Sequence, residues 1–115
     1  MNKKIVICLL KKYTIDILNC IDKKALTVDE ISNKDGIPIA TVHRRMKELR
    51  ELKLVEIVGK KMLSNGKRGF AYYSVLESLW LKWALGEMKL EMEYRRKPEE
   101  FVGLYVHQYN SKGSD

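Results

Sequence analysis

Four cations, Lys60, Lys61, Lys67 and Arg68, fall within nine residues, and no acid interrupts them. Cations clustered in this way can neutralise a row of phosphates and release the counterions condensed on a nucleic acid. A second group precedes them. Ile39, Thr41, His43, Arg44, Arg45 and Lys47 lie in a stretch whose first acid is Glu48. An arginine such as Arg44 can pair with guanine O6 and N7, and a histidine such as His43 can donate to the same edge. An isoleucine can touch a thymine methyl, and a threonine suits a phosphate. Each group by itself also fits a solvated charged face.

Other chemistry is poorly served. Cys8, Cys20, His43 and His107 are too scattered to form a set of zinc ligands, and two cysteines make no disulfide framework. Cys20 falls on a helix face expected to be buried, which favours a packed thiol. There is no glycine loop of the phosphate-cradling kind and no nucleophile–base pair with a supporting residue. The expectation is a protein that is not an enzyme and uses no metal or cofactor. Twenty-two Lys and Arg against fifteen Asp and Glu leave a net charge of +7, which favours an anionic partner. A chain of 115 residues fits one domain. No apolar run reaches the ~20 residues that cross a bilayer. Residues 5–10 are apolar behind two lysines but too short for a secretory signal core, so a cytoplasmic location is expected and no membrane.

These residues need elements to hold them. Thr14 can cap a first helix whose Ile17, Leu18 and Ile21 recur at helical spacing. The preceding Ile-Val-Ile-Cys-Leu-Leu fits a strand or the opening turns of the same helix. Thr27 followed by Glu30 is a capping box that starts a helix near Val28, and Gly36 supplies the turn after it. Pro38 suits the first turn of the next helix, where Val42, Met46, Leu49 and Lys53 form a stripe with Leu52 beside it. Leu54-Val-Glu-Ile-Val and Phe70-Ala-Tyr-Tyr-Ser-Val read as strands, and Asn65-Gly66 reads as a turn between them. Alternation puts Val55 and Ile57 on the core side facing Ala71, Tyr73 and Val75, with the four cations at the tip.

Residues 76–97 read as one long helix. Ser74 and Glu77 could cap it, and its apolar residues form two stripes, too many for so small a domain to bury. A homodimer interface is therefore expected at Leu81, Trp83, Leu85, Met88 and Met92, in preference to cover by the N-terminal and C-terminal segments of the same chain. Pro98-Glu-Glu opens a further short helix pattern carrying Phe101, Leu104 and Tyr105, and residues 110–115 read as a disordered tail.

Over residues 14–75 the chain resembles the winged-helix transcription regulators of the arsenic-repressor (ArsR-like) type. The resemblance rests on Leu26-Thr-Val-Asp-Glu-Ile, Gly36-Ile-Pro-Ile-Ala-Thr-Val-His-Arg-Arg-Met-Lys-Glu-Leu, Leu54-Val, Lys67-Arg-Gly and Tyr72-Tyr-Ser. It implies that Ile39, Thr41, His43, Arg44 and Arg45 face the major groove or its phosphates, with Lys67 and Arg68 on the wing. The chain departs from the family at Pro38, where a serine or threonine usually caps the recognition helix. It departs again at Lys53, where glycine is common. It also lacks the metal-sensing residues of that family.

The expected fold is mostly α with a small β-hairpin: a winged helix-turn-helix with a long C-terminal dimerisation helix. Residues 1–75 would bind DNA, and residues 76–109 would form a helical dimerisation segment of the same domain. The expected function is sequence-specific binding of double-stranded DNA in transcription regulation. Residues 38–53 would enter the major groove and the basic wing, residues 60–69, would contact the adjacent backbone or minor groove. The alternative is a winged-helix protein–protein interaction module without specific DNA binding.

Overall fold

The computed structural model describes residues 3–95. The ambiguous apolar opening is helical. Helix α1, Lys3–Leu10, buries Ile5 and Cys8. It is separate from α2, Thr14–Cys20, because Tyr13 between them takes a left-handed backbone with φ 75°. Thr14 is not a cap: it is the first residue of α2, fully buried, and its hydroxyl has no hydrogen-bond partner.

Helix α3, Val28–Asp35, begins at a reciprocal capping box. The Glu30 amide donates to Thr27 Oγ1 at 3.2 Å, and the Thr27 amide donates to Glu30 Oε1 at 2.9 Å. Two free helix-end amides are thereby satisfied. Gly36 ends the helix with φ 66°, a conformation that favours a residue without a Cβ. Pro38 caps α4, Ile39–Glu51, through its backbone; its carbonyl accepts from the amides of Thr41 and Val42. The stripe Val42, Met46 and Leu49 is buried, and Leu52 is half-buried beside it.

Strands β1, Val55–Met62, and β2, Arg68–Ser74, pair antiparallel from Val55↔Ser74 to Met62↔Arg68. A bulge between Ile57 and Gly59 interrupts the alternation, so Val58 is buried as well as Val55 and Ile57. Leu26 and Tyr72 exchange backbone hydrogen bonds at 3.1 and 2.8 Å, which joins the hairpin to the segment before α3.

The mostly α expectation is corrected beyond this point. Residues 76–94 form no helix but a second antiparallel hairpin, β3, Leu76–Ala84, and β4, Glu87–Tyr94. The described chain has four helices and two two-stranded sheets, 39% helix and 35% strand, with no long C-terminal helix. Ser74 does not cap a helix either; its hydroxyl accepts from the Leu76 amide where β2 gives way to β3. The physical reason lies in Leu85-Gly86, both with positive φ, 55° and 75°, the geometry of a two-residue hairpin loop. On a helix the apolar residues made two stripes. On the hairpin Leu79, Leu81 and Trp83 pair with Met92, Leu90 and Met88 and share one face. The expected interface residues Leu81, Trp83, Met88 and Met92 thus lie together on strands, while Leu85 sits fully exposed at the tip. The short helix pattern at Phe101, Leu104 and Tyr105 and the tail at residues 110–115 lie outside the described residues.

Candidate nucleic-acid interface

The core fixes the outward face of α4. With Val42, Met46 and Leu49 turned inward, His43, Lys47 and Arg50 each follow one of them by one residue, about a quarter-turn round the helix, and all are exposed. No acid occupies the first turn of α4, so the positive end of its backbone dipole is not offset there. Ile39 is exposed and Thr41 half-buried. The Arg44 guanidinium is exposed and donates to Thr41 Oγ1 at 3.1 Å, which folds it back toward the helix start.

The hairpin brings Lys60 and Arg68 to the same side. Leu63 donates to the Lys67 carbonyl at 2.6 Å and the Lys67 amide donates to Asn65 Oδ1 at 2.9 Å, closing the loop before Arg68. Lys67 and Arg68 are exposed there, and Lys60 lies over the Phe70 ring, 5.5 Å from its centre. His43 of α4, Lys60 of β1 and Arg68 of β2 line one open depression together with Phe70 and Tyr72, and one acid, Asp29 of α3, lines it as well. A second depression along α4 is lined by His43, Lys47, Arg50, Glu51 and Tyr72. His43 and Tyr72 border both, so the exposed side of α4 and the basic side of the hairpin form a continuous surface.

Two expected contacts are committed elsewhere. Arg45 Nε donates to the Lys12 carbonyl at 3.2 Å, and its Nη1 stands 3.4 Å from Glu48, so this side chain ties α4 to the α1–α2 turn. Lys61 Nζ donates to the Ala25 carbonyl at 3.1 Å and to Glu30 at 3.0 Å. The structure thus gathers His43, Lys47, Lys60 and Arg68 around the depressions. Ile39, Thr41 and Arg44 stand on the first turns of α4 outside them, and Lys67 in the hairpin loop borders neither. Sequence reasoning missed Arg50 and Tyr72. Arg50 was legible as seven residues, two helical turns, beyond His43; Tyr72 was assigned only to a strand.

No family model matches the chain, and a search of curated proteins finds no similar sequence. What the site can do rests on its own chemistry.

That chemistry is positional. Glu30 is held below the usual carboxylate range: burial alone would raise it, but the Thr27 amide and the Lys61 ammonium outweigh that effect. Glu48 is also held low, first by the hydrogen bond from Lys11. Both carboxylates therefore remain charged and keep Lys61 and Arg45 in structural pairs. The thiols are not poised to react. Cys20 is pushed up to about 11 by burial and by donating a hydrogen bond to Asp35, and burial also raises Cys8. A thiol at such values is mostly protonated at neutral pH and a weak nucleophile.

Proposed function

We propose that the chain binds double-stranded DNA sequence-specifically and regulates transcription in the manner of the ArsR-like proteins it resembles over residues 14–75. In this reading it acts in the cytoplasm, as a homodimer, without catalysis. The observation that carries it is the single depression bordered by His43 from α4 and by Lys60 and Arg68 from the first hairpin. Such a surface offers a helix to a groove and cations to the flanking phosphates at once. His43, Arg44, Lys47 and Arg50 would face the major groove, with Arg44 free to exchange its bond to Thr41 for a base edge. Lys60, Lys67 and Arg68 would contact the adjacent backbone, and Arg68 would enter a narrow minor groove. Arg45 and Lys61 would act indirectly by holding α4 and β1 in place.

The test is fluorescence anisotropy on duplex DNA at two salt concentrations. Random duplex should bind in the micromolar range with steep loss at higher salt. Lys67→Ala with Arg68→Ala should weaken binding to every sequence and reduce the salt slope by about 2. Arg44→Ala should cost on the order of 1–3 kcal/mol on the preferred sequence and relax base preference. Binding indifferent to salt and to all three changes would refute the assigned face.

A second reading has its own support. Leu81 and Trp83 are 48% and 70% exposed on the β3–β4 hairpin, an apolar surface suited to another protein. A protein-interaction module with no affinity for random duplex would leave that surface as the functional one.

A further inference from the structure

Neither outer edge of the β3–β4 hairpin carries a neighbouring strand among the described residues. The loop is two residues long, so Ala84 and Glu87 close it as a hydrogen-bonded pair. Alternation then turns the backbone groups of Lys89 and Glu91 inward to β3, and those of Met88, Leu90 and Met92 outward. β4 is eight residues long and has no proline, so that edge is an intact template for another strand.

We propose that a second copy of this chain occupies it, β4 lying antiparallel to β4 about a two-fold axis at Leu90, to make one four-stranded sheet. This deepens the homodimer part of the function proposed above and rests on it, but not on DNA binding. Charge and length together select the register: an axis at Met88 would also pair Lys89 with an acid but would overlap only residues 87–89 of the strands. About Leu90, Lys89 stands opposite Glu91 of the partner subunit, twice by symmetry. These are non-hydrogen-bonded pairs, where facing side chains approach most closely. On the other face Met88 stands opposite Met92 of the partner subunit, and Leu90 opposite the partner subunit's Leu90. Leu81 and Trp83 extend the same apolar rows through their own pairs with Leu90 and Met88.

The two outermost pairs, Glu87 with Glu93 of the partner subunit and its symmetry mate, are of like charge; these residues are exposed, where water and salt screen them. Pairing β3 with β3 about Leu81 sets Lys82 opposite Trp80 and joins no opposite charges. Pairing β4 head to tail with β3 leaves free edges at both ends and grows open assemblies.

Sedimentation equilibrium of the full chain without DNA tests this. The expected species at micromolar concentration has twice the chain mass of 13.5 kDa. Lys89→Glu and Glu91→Lys should each raise the dissociation constant on the order of tenfold, and the double exchange should restore it. Within its own hairpin residue 89 pairs with Lys82, so Lys89→Glu improves that contact and a lost dimer cannot be ascribed to a lost hairpin. A monomer at every concentration overturns the proposal, as do single reversals without effect, a double exchange without rescue, or open-ended growth. Because no DNA is present, these outcomes are separate from failure of the DNA reading, which a monomer on one half-site would survive.

Discussion

Arg44 and Arg45 are neighbours in sequence with opposite roles in the fold. Arg44 keeps an exposed guanidinium at the start of α4, while Arg45 is bonded to the Lys12 carbonyl and paired with Glu48. Helical spacing separates the two faces only coarsely. It cannot reveal that a carbonyl from the α1–α2 turn arrives beside one arginine. Lys61 escaped the same way, since its partners Ala25 and Glu30 lie more than thirty residues back in the chain. Lys53 was more legible. It stands where the resembled family often has glycine, and its backbone is left-handed at φ 63°. Its amide donates to the Arg50 carbonyl at 2.9 Å and the Leu54 amide to the Leu49 carbonyl at 2.9 Å, the two bonds of a Schellman ending. A side chain in that conformation costs about 1–2 kcal/mol, against about 0.5–1 kcal/mol of extra chain entropy for glycine. Lys53→Gly should therefore stabilise the protein by about 0.5–1 kcal/mol and raise the thermal midpoint by a few degrees. A lowered midpoint in calorimetry would contradict the strain assigned to this residue.

At the scale of elements, α3 was readable because its start is written locally, in Thr27 and Glu30 three residues apart. Residues 76–94 were not, because their apolar residues satisfy both helical spacing and alternation. The decisive signals were the strict alternation of Glu87, Met88, Lys89, Leu90, Glu91, Met92, Glu93 and Tyr94, and Gly86, which costs a helix interior about 1 kcal/mol. The cap of α3 also carries a pH dependence. The Glu30 pKa is lower in the folded chain than in the unfolded one, so the unfolded state takes up the proton first. Its contribution is complete above the ordinary range, near pH 4.3, and disappears as pH falls through the lower native value. Thr27→Ala should cost about 1 kcal/mol at neutral pH. Glu30→Gln should also be less stable than the parent at pH 6, and that gap should narrow steadily toward pH 3. Urea midpoints across this range would expose an error in sign if the gap widened instead.

For the molecule as a whole, length and composition indicated one domain, and the surplus of apolar surface beyond residue 76 was visible although its element type was not. The described chain is elongated, 53 × 30 × 20 Å. The second hairpin is anchored at its base. Leu79, Leu90 and Met92 pack against the main core there, and the Arg95 amide donates to the Val75 carbonyl at 2.8 Å. The Arg95 side chain makes the remaining connection. Its guanidinium donates to the carbonyl and carboxylate of Asp22, to Tyr73 Oη at 3.2 Å and to the Leu76 carbonyl at 2.9 Å. One residue thus ties the end of β4 to the α2–α3 connection, to β2 and to the start of β3. Sequence gave no sign of this, because Arg95 and Asp22 are 73 residues apart. Hydrogen bonds to a charged group contribute about 1.5–3 kcal/mol, and removing the guanidinium takes this donor from the Asp22 carbonyl and carboxylate, while the Leu76 carbonyl still accepts from the Ser74 hydroxyl. Arg95→Ala should lower stability by about 2–3 kcal/mol. It should also loosen the hairpin selectively, since α3, α4 and the first hairpin keep their own contacts. Hydrogen exchange should therefore quicken more at the amides of Trp80 and Lys82, which face β4, than at those of Val42 to Leu49, with affinity for duplex DNA retained. Equal acceleration in both segments would mean that Arg95 supports the whole core and that the second hairpin is no separable unit.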